Sequence, residues 1–267
     1  MNSFRLKIIA IVTMVIDHAA ICLGTGFILL FAPGNPILAA NVIMVMEWIG
    51  RPAFPLFAFM IAEGCKYTKS MPGYIFRLLI LAIISQPFYH FALDNPDFAG
   101  WSTVSYALRY VFPPNNAMVT LTLGALVVWI YKLCEESGKS SQKWLIIPVL
   151  WVFWFAAEKL RSDYGGFGVV LIFLLYATPN LKRKTIAIVV WATTHFLIMY
   201  ALSGGQIIYF NPVFGVETYK ITQWFFASMS ALLILVYNGE RGRQTKWLFY
   251  GFYPAHLLVL YALEQIY

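Results

Sequence analysis

The sequence predicts an all-α, polytopic membrane protein whose helices form a bundle of about nine spans. Hydrophobic residues make up 60% of the 267-residue chain and aromatic residues 18%, whereas charged residues contribute only 12%. Soluble domains carry roughly 25% charged residues, so most of this chain is expected in lipid. The apolar residues also fall into long runs separated by short polar joints, as expected for consecutive transmembrane helices.

Nine apolar segments follow one another, at 6–31, 37–65, 73–93, 117–134, 144–158, 165–179, 184–203, 220–237 and 246–265. Proline and glycine mark the joints between them, as in PGNP at 33–36 and MPG at 71–73. Several segments approach the ~20 residues that a helix needs to cross a bilayer. The first segment is too long for a signal peptide and is interpreted as a retained span. The longest joint, 94–116, is expected on the membrane surface.

The basic residues predict the orientation. If the N-terminus is cytoplasmic and the segments alternate, fourteen of the nineteen lysines and arginines fall on the cytoplasmic side and four on the outer side. Cytoplasmic loops of membrane proteins carry such an excess of positive charge. We therefore predict a cytoplasmic N-terminus, an outer C-terminus and a location in the inner membrane of the cell. The formal charge of +7 follows from this distribution and does not indicate nucleic-acid binding.

Several ionisable or amide side chains share one depth. Counted from the predicted cytoplasmic ends at ~1.5 Å per residue, His18, Arg51, Gln86, His195 and His256 all fall near mid-membrane. A charge at this depth costs on the order of 3 kcal/mol, so such residues normally face a bundle interior or a wet cavity. Hydrogen bonding between helices would explain them as well. A common layer favours a site, and both interpretations stay open here.

The first segment places two of its polar residues on one face. Lys7 and His18 are eleven residues apart, which is close to three helical turns. Lys7 is expected at the cytoplasmic edge, with His18 ~16 Å deeper. Asp17 points about 100° away from His18 around the helix. It is therefore expected to pair with Arg51 rather than to orient the imidazole.

The second segment is predicted to be broken. Pro52 and Pro55 each lack a backbone donor and clash with the preceding helical turn. Arg51 lies at this break, and broken helices free backbone groups to line a cavity. A plain proline kink is the alternative explanation. Toward its cytoplasmic end the segment carries Glu63, with Tyr67 one turn further.

Weaker signals come from the remaining segments. His90 is expected nearer the outer face, and Asn116 is a candidate N-cap of the fourth segment. The motif DYGGFG at 163–168 opens the sixth segment on the predicted outer side, where a flexible outer loop is the default interpretation. The aromatic residues around His256 favour packing, although His256 follows the helix-disturbing Pro254.

Six stretches carry a family resemblance: LKIIAIVTMVIDH (6–18), GRPAFPLFAFMIAEGCKYT (50–68), SQP (85–87), DYGGFG (163–168), YNGERG (237–242) and FYPAH (252–256). Together they resemble the TraX family, named for the F-pilin acetylase of conjugation systems, over nearly the whole chain. That family is similar in turn to the membrane acyltransferases of acyltransferase family 3, which have a basic residue near the start of helix one and a histidine eleven residues on. Lys7 and His18 occupy these positions, with lysine where the larger group usually has arginine.

The resemblance implies one transmembrane acyltransferase-like domain over 1–267. It would move an acetyl group from cytoplasmic acetyl-CoA to an envelope acceptor, an amine or hydroxyl of a pilin or a glycan. His18 would be the catalytic imidazole, and Asp17 and Arg51 are expected to be catalytic with it. Arg51 would stabilise the developing oxyanion or hold the CoA phosphates. The donor is expected against Lys7, Glu63, Tyr67, Lys66, Lys69 and Arg77. Acceptor-side or supporting roles are expected for Gln86, His90, Asn116, Thr120, Asp163, Tyr164, His195, Tyr253 and His256. No metal is expected, and the partners are acetyl-CoA, the acceptor and the lipid bilayer.

Two chemical routes and three functions stay open at this point. A neutral His18 would act as a general base, or it would form an acetyl-imidazole intermediate. A small-solute or proton-coupled transporter also uses broken helices and buried ionisable groups, although the chain shows no internal repeat. An envelope assembly factor would need the buried histidines and arginine for stability alone.

Overall fold

The computed structural model describes residues 1–31, 33–94, 115–138, 140–202, 218–243 and 246–266, and all regular structure within them is helical. The α-helices are α1 (Ser3–Phe31), α2 (Pro36–Gly50), α3 (Ala53–Tyr67), α4 (Met71–Tyr89), α5 (Ala117–Glu136), α6 (Ile146–Lys159), α7 (Gly165–Ala177), α8 (Leu181–Leu202), α9 (Thr218–Leu235) and α10 (Lys246–Glu264). The all-α class is confirmed, and every predicted apolar segment coincides with a helix or, for the second, with two. The predicted surface stretch at 94–116 lies for the most part outside the described residues.

Local sequence explains where several helices begin. Asn35, Ser70 and Asn116 are N-caps whose side-chain oxygens accept a backbone N–H of the first turn at 3.0 to 3.3 Å. Each cap satisfies one of the donors that a helix leaves unpaired at its start. The predicted capping role of Asn116 is confirmed.

The predicted break in the second apolar segment is present. α2 ends at Gly50, Arg51 and Pro52 form a turn, and α3 begins at Ala53. Pro55 lies in the first turn of α3, where the missing N–H costs no helical hydrogen bond. The two prolines therefore separate one helix from the next.

Two other helices depart from regular geometry. α1 is kinked at Gly24, whose φ of 57° is a conformation that glycine adopts without steric penalty. α4 contains Pro87, and the chain continues after it as a π-helical turn, His90–Asp94. Interruption of the helical hydrogen-bond ladder is an established cause of such irregularities.

The lengths and surfaces of the helices are those of a membrane protein. In the part of the chain that the structure describes, five stretches are long and apolar enough to cross a bilayer: Ser3–Gly24, Pro36–Tyr67, Met71–Leu93, Ala117–Glu136 and Leu181–Leu202. Gly165–Ala177 and Trp224–Leu235 are apolar but shorter. Large apolar side chains such as Trp151, 70% exposed, lie on the outside, as expected for a surface in contact with lipid. The nine spans and the cytoplasmic N-terminus stay predictions.

The chain divides into two compact units. The first unit, Met1–Leu56 with Leu181–Tyr267, contains α1, α2, α8, α9 and α10. In it α1 packs against α2 and α10, and α9 packs against α8 and α2. The buried side chains of Leu6, Met14 and Leu257 contribute to its core.

The second unit, Phe57–Asn180, is built around α5. This helix packs against α4, α6 and α7, and α6 also packs against α7. A core cluster of Val127, Ala157, Val169 and Phe173 lies where α5, α6 and α7 meet. That the whole chain is one domain stays a prediction.

Candidate active site

A pair of histidines is buried between α1 and α10. Nδ1 of His18 lies 2.8 Å from Nε2 of His256, with the ring centroids 5.1 Å apart and the ring planes 13° from parallel. The exposed fractions of the two residues are 7% and 6%. The contact brings together two of the residues that the sequence predicts at one depth, while their depth in the membrane stays a prediction.

The contacts on either side of this pair show that α1 and α10 run parallel. Phe4 meets Phe249 near the start of both helices, with centroids 6.3 Å apart. Cys22 Sγ lies 3.6 Å from Glu264 Oε2 near the end of α10. The first and ninth predicted spans must share one direction, and the parallel arrangement agrees with this requirement.

Three contacts with two residues of α10 hold the ring of His256. Its Nδ1 lies 3.0 Å from the carbonyl oxygen of Phe252, one turn earlier in α10. The Phe252 ring stacks on it at 5.3 Å, and the Tyr253 ring meets it edge-on at 5.5 Å. Because these contacts restrict the ring, His256 presents Nε2 to His18 in one orientation.

Lys7 and His18 lie on the same face of α1, as their spacing predicts, since both contact α10. Lys7 Nζ lies 5.2 Å from the centroid of the Phe249 ring. Arg241, in the turn before α10, is close enough to repel Lys7 electrostatically. Within the described residues neither cation has a carboxylate at ion-pair distance. The α1/α10 interface therefore carries two cations at its start and two imidazoles ~16 Å further along.

The side chain of Asp17 points from α1 toward the end of α2. Arg51 Nη2 lies 3.8 Å from Asp17 Oδ1 and 3.9 Å from Glu47 Oε2. The predicted pair of Asp17 and Arg51 is therefore present. Glu47 was not predicted to belong to this cluster, although it lies four residues before Arg51, a spacing that brings side chains together on a helix. Two carboxylates share this one guanidinium group.

Gly50 allows α2 to approach α1 at Asp17. A Cβ atom at position 50 would overlap the Cβ and the carboxylate of Asp17. The close contact that brings Arg51 to Asp17 therefore depends on glycine at this position.

His195 is separate from the histidine pair. It lies on α8, half-buried, with its ring centroid 5.9 Å from that of Trp191. Among the described residues of this unit, His256 is the one histidine that hydrogen-bonds to His18. The depth that the sequence predicts for His195 does not bring it into this pair.

The second unit contains a buried amide network between α4 and α5. Gln86 Oε1 accepts hydrogen bonds from Nδ2 of Asn116 at 2.8 Å and from the backbone N–H groups of Asn115 and Asn116 at 3.0 and 3.3 Å. Gln86 Nε2 donates to Asn115 Oδ1 at 2.7 Å, and Asn116 Nδ2 donates to the Ala82 carbonyl at 2.8 Å. Both polar atoms of Gln86 are engaged, so the network joins helices rather than awaiting a ligand.

Thr120 and Asp163 extend this hydrogen-bond network to the turn that precedes α7. Thr120 Oγ1 lies 3.0 Å from Ser162 Oγ and donates to the carbonyl oxygen of Asp163, whose N–H donates to the Asn115 carbonyl at 2.8 Å. The structure thus brings four predicted supporting residues together, Gln86, Asn116, Thr120 and Asp163. Asn115 and Ser162 were not predicted.

The expectation of a flexible loop at 163–168 is wrong. Tyr164 adopts a left-handed conformation with a φ of 63°, and α7 begins at the next residue. A Cβ at Gly166 would overlap the indole of Trp154, and the Gly166 N–H donates to Glu158 Oε1 at 2.9 Å. The glycines of this motif therefore permit close packing at the start of a helix.

The predicted donor-side residues of the second unit lie from the end of α3 to the first turns of α4. Lys66 pairs with Glu63 at 3.3 Å, and Tyr67 is 74% exposed. Lys69 lines a cleft of about 290 Å³ whose other cation is Lys132. Arg77 lies over the ring of Tyr74, 6.0 Å from its centroid. His90, which was predicted on the acceptor side, is buried at the start of the π-helical turn.

The fold and the histidine pair define a helical membrane protein with a buried candidate active site. The sequence model of the TraX protein family matches residues 3–264, so the chain belongs to the TraX family. It is 26% identical over 268 residues to the "probable fimbrial assembly protein FimC, serogroup H1" of Dichelobacter nodosus, covering 97% of this chain and 94% of that protein. No solved structure matches the chain.

Proposed function

We propose that this protein is an acetyltransferase of the inner membrane that moves an acetyl group from cytoplasmic acetyl-CoA to an envelope acceptor. The observation that carries the proposal is the buried pair of His18 and His256 at the far end of an interface that begins with Lys7 and Arg241. Membership of the TraX family supports the same class of reaction. The relative named for fimbrial assembly favours an amine or hydroxyl of a pilin as the acceptor.

In this proposal His18 acts as a general base. The acceptor nitrogen or oxygen attacks the thioester carbonyl, so that a C–N or C–O bond forms and the C–S bond breaks. His18 takes the proton of the acceptor and returns it to the departing sulfur, so that CoA leaves as a thiol. Proton transfer by a positioned side chain contributes ~10²–10⁴ in rate.

The cations at the start of the α1/α10 interface suit the donor. Its phosphates are anionic and stay near the aqueous surface, because moving charge into lipid is costly. Lys7 and Arg241 repel each other, and a bound phosphate would relieve that repulsion. The neutral thioester on its flexible arm then covers the ~16 Å to His18. Lys66, Lys69 and Arg77 add positive charge on the predicted cytoplasmic side.

Asp17 and Arg51 have a supporting role in the proposed mechanism. Arg51 is shared by Asp17 and Glu47, so its charge is already compensated. The pair holds the broken end of α2 against α1 at the residue that precedes His18. Its contribution is to the position of α1 rather than to the thioester.

The test uses sealed vesicles of both orientations, with radiolabelled acetyl-CoA added only to the outside. Label is expected in envelope proteins or glycans with inverted vesicles, and not with right-side-out vesicles. His18→Gln should remove this activity, whereas the matched variant His195→Gln should retain it. Activity in right-side-out vesicles would contradict the cytoplasmic donor site, and near-normal transfer by His18→Gln would reject His18. No transfer by the wild-type protein would reject the acetyltransferase itself.

A further inference from the structure

We infer that His256 is a positioning residue that holds His18 in one neutral tautomer, with Nε2 of His18 as the reactive atom. The consequence for turnover rests on the proposed function. The tautomer itself follows from the hydrogen bonds and can be tested without any activity.

The direction of the hydrogen bonds starts from a backbone carbonyl. The Phe252 oxygen can only accept, so Nδ1 of His256, 3.0 Å away, must carry hydrogen and donate to it. A neutral imidazole carries one N–H, so Nε2 of His256 is left with a lone pair. That atom is the acceptor which faces His18.

The same reasoning assigns the two nitrogens of His18. Its Nδ1 lies 2.8 Å from Nε2 of His256. Because that Nε2 carries a lone pair and no hydrogen, Nδ1 of His18 must donate to it. The lone pair of His18 is thereby left on Nε2, which makes no hydrogen bond to any residue that the structure describes. The base required by acetyl transfer is a ring nitrogen with an unused lone pair, and this geometry supplies one.

Both rings are neutral in this arrangement. They are buried, and in the described part of the chain no carboxylate contacts either of them. Burying an unpaired charge is costly, so a resting imidazolium is disfavoured here. The nearest carboxylate in sequence, Asp17, points about 100° away around α1 and pairs with Arg51 there.

His256 therefore fills the orienting role that a carboxylate fills in serine hydrolases. When Nε2 of His18 accepts a proton, Nδ1–H still donates to the lone pair of His256, which stabilises the imidazolium that forms. The ring contacts with Phe252 and Tyr253 keep that lone pair in place. Without His256, neutral His18 would be free to place its hydrogen on Nε2 and lose the base.

Three substitutions at position 256 separate positioning from packing. His256→Gln places an amide oxygen close to the former Nε2, His256→Asn places it nearer to the former Nδ1, and His256→Phe keeps a ring without an acceptor. We expect His256→Gln to retain kcat within about tenfold, and the other two to lose ~10²-fold or more with KM for acetyl-CoA unchanged. Equal activity of the phenylalanine and glutamine variants, or losses that simply follow thermal stability, would overturn the inference.

A spectroscopic measurement tests the tautomer directly. The chain has four histidines, so NMR of protein labelled at the histidine ring nitrogens can be assigned by single substitutions in lipid nanodiscs. Wild-type His18 should show a protonated Nδ1 and an unprotonated Nε2, and His256→Phe should shift it toward a mixture. Hydrogen on Nε2 of neutral His18 in the wild-type protein would overturn the inference. This result does not depend on acetyl transfer, so it remains decisive if the proposed function fails.

Discussion

Gln86 in the second unit and His18 in the first are both buried polar side chains, but they use their hydrogen-bonding capacity in different ways. In the second unit the oxygen of Gln86 accepts three hydrogen bonds and its nitrogen donates another. In the first unit Nε2 of His18 makes no hydrogen bond within the described residues. Buried polar groups normally find partners, so unused capacity marks the place where ligand chemistry is expected.

This comparison shows that depth in the membrane does not by itself indicate a site. The sequence predicts Gln86 and His18 in one layer, and both are buried. Of these two side chains, only His18 has a polar atom without a hydrogen-bond partner among the described residues. Gln86 hydrogen-bonds between helices, which is the alternative explanation for polar residues at a common depth.

The largest effects are expected from replacing His18 and Gln86, each in a separate variant. His18→Ala should lower acetyl transfer by ~10²–10⁴ while the thermal transition stays close to that of the wild type. Gln86→Leu should do the reverse, because three donors of Asn115 and Asn116 lose their acceptor at a cost of roughly 2–4 kcal/mol. Turnover per folded molecule and thermal unfolding in detergent measure the two effects. If both variants lost activity and stability together, the distinction between His18 and Gln86 would fail.

A smaller effect on stability is expected at the contact between α1 and α2. Gly50→Ala would force a Cβ into Asp17 and should destabilise the protein by about 1–3 kcal/mol. Gly251→Ala is the matched control on α10, where a Cβ would meet no atom within 4 Å and helix propensity favours alanine by up to ~1 kcal/mol. The free energy of unfolding of both variants measures the difference. Equal stability of the two would show that the close approach at Asp17 is not a constraint.

The ion pair beside His18 should show coupling of about 1–3 kcal/mol in a double-mutant cycle of Asp17→Asn and Arg51→Gln. Arg51→Gln should be the more harmful single change, because it leaves two carboxylates without their shared cation. Asp17→Asn leaves Arg51 with Glu47. Additive effects on unfolding would mean that Asp17 and Arg51 do not stabilise each other.

The smallest effect is expected at the donor end of the α1/α10 interface. Lys7→Gln and Arg241→Gln should each raise KM for acetyl-CoA roughly three- to tenfold with little change in kcat, as loss of about 1 kcal/mol of binding would. Arg5→Gln is the control, since Arg5 is exposed on the same helix and lies two residues away. Steady-state titration with acetyl-CoA measures these constants. An unchanged KM in both variants would place the donor phosphates elsewhere.

The sequence by itself determined the local features of this protein. The helices, the break at Arg51 and Pro52, the cap at Asn116 and the shared face of Lys7 and His18 are all present in the structure. Each depends on residues within a few turns of one another, where chain geometry restricts the possibilities. The separation of Asp17 from His18 around α1 belongs to the same class.

Only the tertiary structure decided that His256, and not another residue of the predicted layer, meets His18. His18 and His256 are 238 positions apart, and counting residues gives the depth of each but not the rotation of either helix about its axis. His195 shares the predicted depth and lies elsewhere for this reason. At DYGGFG the small residues suit a flexible loop and close packing equally well, and the positions of Trp154 and Glu158 decide for packing. Depth and periodicity are properties of single helices, whereas the pairing of faces is decided by how whole helices pack together.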